Sequence, residues 1–364
     1  MKFRCERDVL DHAFTIARQA TSTRGGALQV LSGLHLNLIG NDLTVSGTDN
    51  DLTIQVAVDV GGQEDGATVL PAKLASDIVR ALSSGQVEVT IDDEGANLSS
   101  GRSDFNLRTM PADEFPRLEP ASGETVTLDA FGVAAALDQV VTAASGDDSR
   151  PILTGVLLAP ENDGLRFVAT DSYRLAVRDL PGTSVLQTDQ TVLVPSRALE
   201  AVGKLLSDAD ELTVSFGEHD ATFCVGGVSV STRLIEGEFP NYRNLIPEDH
   251  PNTLVVDRGV LTNALRRVRL LAQENTPVRL EMSADGLELI AITQDVGQAR
   301  ETIDAEYSGT DLTVAFNPAY LLDGLEVSSG AEVQLETIDS LKPAVLRSVG
   351  DEQFLYLLMP VRVS

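Results

Sequence analysis

NDLTVSGTDNDLTI at Asn41–Ile54, DGLRFVATDSYRLAV at Asp163–Val177 and DGLELIAITQDVGQA at Asp285–Ala299 are three versions of one pattern. Their leading leucines, Leu43, Leu165 and Leu287, stand 122 residues apart each time. A second pattern keeps step with the first: TVLPAKLASDIVRAL from Thr68, VLVPSRALEAVGKLL from Val192 and TVAFNPAYLLDGL from Thr313. Its prolines, Pro71, Pro195 and Pro318, lie 124 and then 123 residues apart. Two unrelated patterns that hold one period along a chain mark a triplicated domain. The length of 364 residues also exceeds what a single core fills. The boundaries read as residues 1–121, 122–249 and 250–364.

Within each copy, alternation of apolar and polar residues between turn signals such as Gly40-Asn41 and Asp285-Gly286 predicts antiparallel hairpins. Two stretches per copy are helical instead. Leu10, Ala13, Phe14 and Ala17 keep the i, i+3, i+4, i+7 spacing of a buried helix face. So do Val133, Ala136, Leu137 and Val140, and again Leu261, Ala264, Leu265 and Val268. The second helix of each copy follows the proline. The fold class is therefore α+β, with each domain carrying two helices on antiparallel sheet, arranged as two similar β-α-β-β-β halves.

The chain has 27 basic and 55 acidic residues, a net charge of −28 that by itself repels nucleic acid. The placement of the cations points the other way. Lys73 and Arg80, like Arg197 and Lys204, are seven residues apart and so lie nearly on one line of a helix. Leu74, Ile78 and Leu82 are expected on the opposite, core side, as are Val202 and Leu206. Arg7 and Arg18 belong to the solvent face of the first helix, and Arg266 and Arg267, flanked by Arg269, to that of the third copy. Four helices with basic outer faces in so acidic a chain suggest a polyanion partner. The acid belongs to loops and turns such as Asp92-Asp93-Glu94 and Asp147-Asp148.

Other classes find little support. The charged opening MKFRCERDVLDH and the lack of a long apolar run predict a cytoplasmic chain with no membrane partner. Cys5 and Cys224 fall at different repeat positions, which argues against a shared metal site or staple and predicts buried free thiols. No phosphate-binding loop, H-E-x-x-H or G-x-S-x-G stretch is present, and His12, His35, His219 and His250 are scattered. No metal or cofactor is implied. An acidic, metal-dependent hydrolase built on Asp92-Asp93 or Asp147-Asp148 stays open as the rival reading at this stage.

ATDSYRLA from Ala169, GEFPNYRNLIP from Gly237, FNPAYLLDGL from Phe316 and LMPVRV from Leu358 resemble the bacterial sliding clamp family, the beta subunit of DNA polymerase III. The resemblance spans the whole chain. It implies the DNA clamp fold, a head-to-tail homodimer closed into a ring, and helices facing an encircled duplex read without regard to sequence. It further implies a non-catalytic processivity factor with the polymerase alpha subunit, the clamp loader and other clamp-binding peptides as partners. By position, Arg24 reaches the duplex together with the helix cations. A peptide pocket is implied at Leu153, Thr170, Ser172, Tyr173, Arg174, Leu175, Pro240, Leu245, Asn317, Tyr320, Leu341, Pro343, Met359, Pro360, Val361 and Arg362. The dimer contact is implied at Phe105 and Leu107 against Leu270 and Leu271. Ser172-Tyr173 stand where the family often has Gly-His, and Asn244 replaces a frequent arginine; both bear on peptide preference. A clamp paralogue serving repair or inhibitor resistance has the same sequence features.

Overall fold

The computed structural model describes residues 1–22, 28–118, 123–187, 190–247, 249–272 and 276–362. It contains, among these, six α-helices and a set of antiparallel strands that recur in three copies. The first copy runs β1 (Lys2–Glu6), α1 (Arg7–Ala17), β2 (Gly33–Ile39), β3 (Asp42–Thr48), β4 (Leu52–Asp59), β5 (Gly61–Glu64), β6 (Gly66–Pro71), α2 (Ala72–Ala81), β7 (Gln86–Asp92), β8 (Gly95–Ser100) and β9 (Ser103–Leu107). The second is β10 (Thr125–Asp129), α3 (Ala130–Val140), β11 (Gly155–Glu161), β12 (Gly164–Thr170), β13 (Arg174–Pro181), β14 (Val192–Pro195), α4 (Ser196–Leu205), β15 (Glu211–Phe216), β16 (Asp220–Val225) and β17 (Val228–Arg233). The third is β18 (Asn252–Asp257), α5 (Arg258–Val268), β19 (Val278–Ser283), β20 (Gly286–Thr293), β21 (Gly297–Ile303), β22 (Glu306–Ser308), β23 (Leu312–Phe316), α6 (Pro318–Val327), β24 (Glu332–Thr337), β25 (Ala344–Ser348) and β26 (Phe354–Leu358).

Each copy holds two β-α-β-β-β halves that exchange their first strands. Thus β1 pairs with β7 of the second half, and β6 pairs with β2 of the first. The same exchange joins β10 to β15 and β14 to β11, then β18 to β24 and β23 to β19. Periodicity cannot disclose this, because alternation fixes which face a residue takes and not which strand lies beside it.

Sheets also run from one copy into the next. The last strand of the second copy, β17, pairs with β4 of the first from Val228–Val56 to Thr232–Leu52. The last strand of the third, β26, pairs with β13 of the second from Arg174–Leu358 to Arg178–Phe354. Among the sheet edges of the described residues, β9 lies at one side of its sheet beside β8, and β21 at one side of another beside β20. The chain forms two compact units, residues 1–131 with 200–234, and residues 132–199 with 235–364.

In the first unit, α1 packs on β3 and β4 through Leu10, Ala13, Phe14 and Ala17, all fully buried. Full burial of a leucine or phenylalanine of this kind contributes about 1.5–3 kcal/mol. Gly47 of β3 permits the close approach, since a Cβ there would lie 2.1 Å from the Ala17 carbonyl oxygen. In the second unit, α5 packs on β20 and β21, with Leu261, Ala264, Leu265 and Val268 buried. Its first turn is capped by Asp257, whose Oδ1 accepts from the Val260 amide at 2.8 Å.

Three sequence expectations are revised. On α2 the buried face is Ala72, Ala75, Ser76 and Val79, while Leu74 is half exposed. The small residues suit close packing against α1, and side-chain size is a poorer guide to the face than spacing. Cys224 is exposed on β16, and only Cys5 is a buried thiol. Finally, Pro318 is the first residue of α6 and Asn317 its cap, whereas Pro71 precedes α2. The helices therefore align one residue off the prolines.

Burial pushes the Cys5 thiol up to about 11, so at pH 8 only about one molecule in a thousand carries the reactive thiolate. A thiol reagent is expected to modify one cysteine per native chain, Cys224, and two after denaturation. Peptide mapping of the labelled protein checks which one reacts.

Candidate nucleic-acid and peptide interfaces

Among the described residues, the predicted phosphate-facing cations lie on helix surfaces. Lys73, Arg80, Arg197, Lys204, Arg266 and Arg267 are exposed, and Arg7 and Arg18 half-buried. Arg24 lies outside the described residues. The seven-residue spacing holds, since α2 and α4 are uninterrupted helices. Several of these cations have acidic neighbours that the sequence did not disclose. Arg18 is 3.5 Å from Asp77, Arg80 is 3.7 Å from Asp11, and Arg266 is 2.8 Å from Glu326. The Arg267 Nε donates to Glu301 at 3.1 Å, and that bond holds the Glu301 carboxyl below the usual carboxylate range. Lys73 and Lys204 form no ion pair among the described residues.

Four segments of the second unit build a concave site of about 330 Å³, lined by Tyr173, Thr276, Pro277, Asn317, Pro318, Tyr320, Met359, Pro360 and Val361. Its best-defined wall is the turn between β12 and β13. The Thr170 hydroxyl donates to the Arg174 carbonyl at 2.7 Å and accepts from the Ser172 amide at 3.2 Å. The Asp171 carboxylate accepts from the amides of Tyr173 at 2.8 Å and Arg174 at 3.0 Å. Ser172 adopts φ +82°, unusual for a residue with a side chain, and Tyr173 is turned outward. The first copy makes the same turn with Thr48, Asp49 and Asn50, the last at φ +81°. Thr170 and Asp171 thus shape a repeated turn, and Tyr173 is what this copy presents on it.

Beneath the site lies Arg174, its side chain only 10% exposed. It pairs with Asp171 at 3.0 Å and with Asp323 of α6, and donates to the Tyr356 hydroxyl at 3.3 Å. Tyr356 in turn donates to the Tyr320 carbonyl at 3.1 Å. The Arg174 guanidinium sits 4.5 Å from the centre of the Tyr320 ring, and Tyr173 stacks on that ring at 6.3 Å between centroids. Gly324 lets α6 lie on Tyr356, because a Cβ there would fall 2.5 Å from the tyrosine ring. The chain end forms the far wall: the Met359 amide donates to the Tyr173 carbonyl at 2.8 Å, and the Val361 amide to the Ala315 carbonyl at 2.7 Å. Asn317 has a second duty, since its Oδ1 caps α6 by accepting from the Ala319 amide at 2.9 Å.

Of the residues named from sequence, Tyr173, Asn317, Tyr320, Met359, Pro360 and Val361 line this cavity together. Leu175 belongs instead to an apolar cluster with Val168, Val177, Tyr242, Val345 and Leu357, against which Phe239 and Ile246 pack. Pro240 and Leu245 flank that cluster in sequence, as do Leu341 and Pro343 before Val345; Pro240, Leu245 and Leu341 are exposed, and Pro343 is half-buried. Leu153 is buried, and Ser172 and Arg362 are exposed. Thr276, Pro277 and Pro318 were missed; the first two follow α5 and carried no motif. Phe105 of β9 and Leu270, in the turn that follows α5, are exposed, Leu107 is buried beside Ala96, and the Leu271 carbonyl accepts from the Thr293 hydroxyl.

Family models of the DNA polymerase III beta subunit match the chain three times over: the N-terminal domain at residues 1–119, the central domain at 127–241 and the C-terminal domain at 243–362. The chain belongs to the DNA polymerase III beta subunit family. It is 36% identical over 381 residues to the beta sliding clamp of Streptomyces coelicolor, with all of both chains covered. Solved clamps from Bacillus subtilis and Pseudomonas aeruginosa cover all of this chain and are themselves fully covered, at 29% identity with a TM-score of 0.90 and 28% with 0.92. The P. aeruginosa clamp was solved bound to griselimycin.

Replacing Arg174 with alanine leaves Asp171 and Asp323 facing each other without their cation. Breaking a buried pair in this way costs about 3–5 kcal/mol, and since Asp323 is a third exposed the lower end is expected here. Urea unfolding followed by circular dichroism measures the loss.

Proposed function

We propose that this chain is a sliding clamp that encircles duplex DNA and tethers a replicative polymerase for processive synthesis, with no catalytic centre of its own. Membership of the beta-subunit family carries the functional class. The observation that carries the ring is the pattern of strand edges. In two places the last strand of one copy pairs with the fourth strand of the copy before it, β17 with β4 and β26 with β13. By the same rule β9 requires β21, and both are edges within one chain. An unpaired edge is a template for another chain, so a second molecule supplies the partner. The resulting contact is heterologous, and two copies close it by rotation. Phe105 and Leu270, exposed apolar residues near those edges, are buried by this contact. The three domains, residues 1–121, 122–249 and 250–364, then become six in the dimer.

In this reading the helix cations face the duplex and attract phosphates without reading bases, as sliding requires. The concave site beside Tyr173 and Tyr320 takes the apolar side chains of short clamp-binding peptides, those of the polymerase alpha subunit and the clamp loader among them. Met359, flexible and polarizable, suits a site that accepts more than one sequence. The protein works in the cytoplasm, at the nucleoid.

Loaded protein is expected to stay on closed circular DNA in high salt and to leave the same DNA once it is linearised. Loss from both forms at the same rate contradicts encirclement. Changing Lys73, Arg80, Arg197 and Lys204 together to Glu is expected to weaken duplex binding. Each phosphate that the variant no longer neutralises takes about 0.9 from the log-log salt slope, and an unchanged slope removes these residues from the interface.

Deleting the chain from Met359 onward removes one wall of the peptide site and leaves β26 whole. A peptide ending in leucine and phenylalanine, with an expected Kd near 1 μM, or about −8 kcal/mol, should lose measurable binding to the truncated protein while the dimer persists. Unaltered affinity in calorimetry would exclude the site.

A further inference from the structure

The acids that accompany the helix cations follow a design. In the first unit the pairing is reciprocal: Arg18 at the end of α1 faces Asp77 of α2 at 3.5 Å, and Arg80 of α2 faces Asp11 of α1 at 3.7 Å. In the second unit Arg266 of α5 faces Glu326 of α6 at 2.8 Å. Thr15 and Arg266 are each the ninth residue of their helix, α1 and α5, and Arg80 and Glu326 each the ninth of theirs, α2 and α6. Arg80 also donates to the Thr15 hydroxyl at 2.9 Å. The same two places thus form a cross-helix bridge in both copies, with the cation on opposite helices. The first and third copies, with different residues at these places, both hold a bridge there.

We infer that Asp11, Asp77 and Glu326 are built-in competitors of DNA phosphate, which set how strongly the clamp holds the duplex it encircles. The inference rests on the proposed DNA-facing role of these helices. A guanidinium already beside a carboxylate neutralises no phosphate unless that pair opens, so it adds little to affinity and little to the salt slope. Each pair has at least one partner about half exposed to water, and solvent-screened pairs of this kind are weak and open readily. Lys73 and Lys204, unpaired among the described residues, supply the steady attraction. A protein held topologically needs no tight contact, and tight contact slows movement along the duplex.

The test is equilibrium binding of the full-length protein to a fluorescent duplex oligonucleotide across a potassium chloride series. The isosteric variant Asp11→Asn/Asp77→Asn/Glu326→Gln is expected to bind more tightly, with the slope steepened by about 0.9 for each cation released and so by up to about 2.7. Asp92→Asn/Asp93→Asn/Glu94→Gln, at the end of β7 and the turn into β8, changes net charge equally and is expected to leave the slope as it was. Equal steepening in both variants, or none in the first, overturns the inference. Lys73→Glu/Lys204→Glu separates the two levels. If it weakens binding while the helix-acid variant does nothing, the competitor role alone falls; if it too does nothing, the DNA-facing role falls and the inference with it.

Discussion

A β-strand buried on its faces still presents one row of amides and carbonyls to each side, and those groups must find partners. Here the partner is repeatedly supplied from outside the half-repeat. The first strand of each half crosses to the other half, and the last strand of a copy crosses to the copy before it. No copy completes its own sheets. The exchange makes successive copies depend on each other through main-chain hydrogen bonds, which tolerate the sequence drift evident between ATDSYRLA and AITQDVGQ. It also leaves β9 and β21 open, and the proposed dimer follows from closing them.

The charge distribution has its own logic. A chain of net charge −28 repels DNA at long range, and cations on helix surfaces offset this only at close quarters, within about a Debye length of 8–10 Å. Pairing some of them with Asp11, Asp77 and Glu326 tempers the attraction further. The acidic turns, such as Asp147 held by Ser149 and by Arg150 at 2.9 Å, sit in local networks and need no metal to explain them.

Much of this was legible in the sequence, for identifiable reasons. The period of 122 residues survived because it is carried by turns and helix starts, where few residues satisfy the backbone. The repeated Thr-Asp pair at 48–49 and 170–171 is one such turn, with hydroxyl and carboxylate bonding the same amides in both copies. The helix cations follow from spacing alone. What spacing could not show was partnership across the fold. Arg174 meets Asp323 149 residues away, and Arg80 meets Asp11 on another helix, with no local pattern to announce either. Leu74 escapes the expected core side because its place on the helix outweighs its bulk, and Cys224 departs from the usual burial of cysteine. Thr276 and Pro277 reach the cavity beside Tyr173 and Tyr320 through tertiary folding alone.

In the proposed dimer a second copy completes the edges β9 and β21. Sedimentation equilibrium at micromolar concentration measures it directly, with the protein beside a Phe105→Arg variant on β9. The account predicts the mass of two chains for the protein, and of one folded chain for the variant. A protein that sediments as a single chain at these concentrations would contradict it.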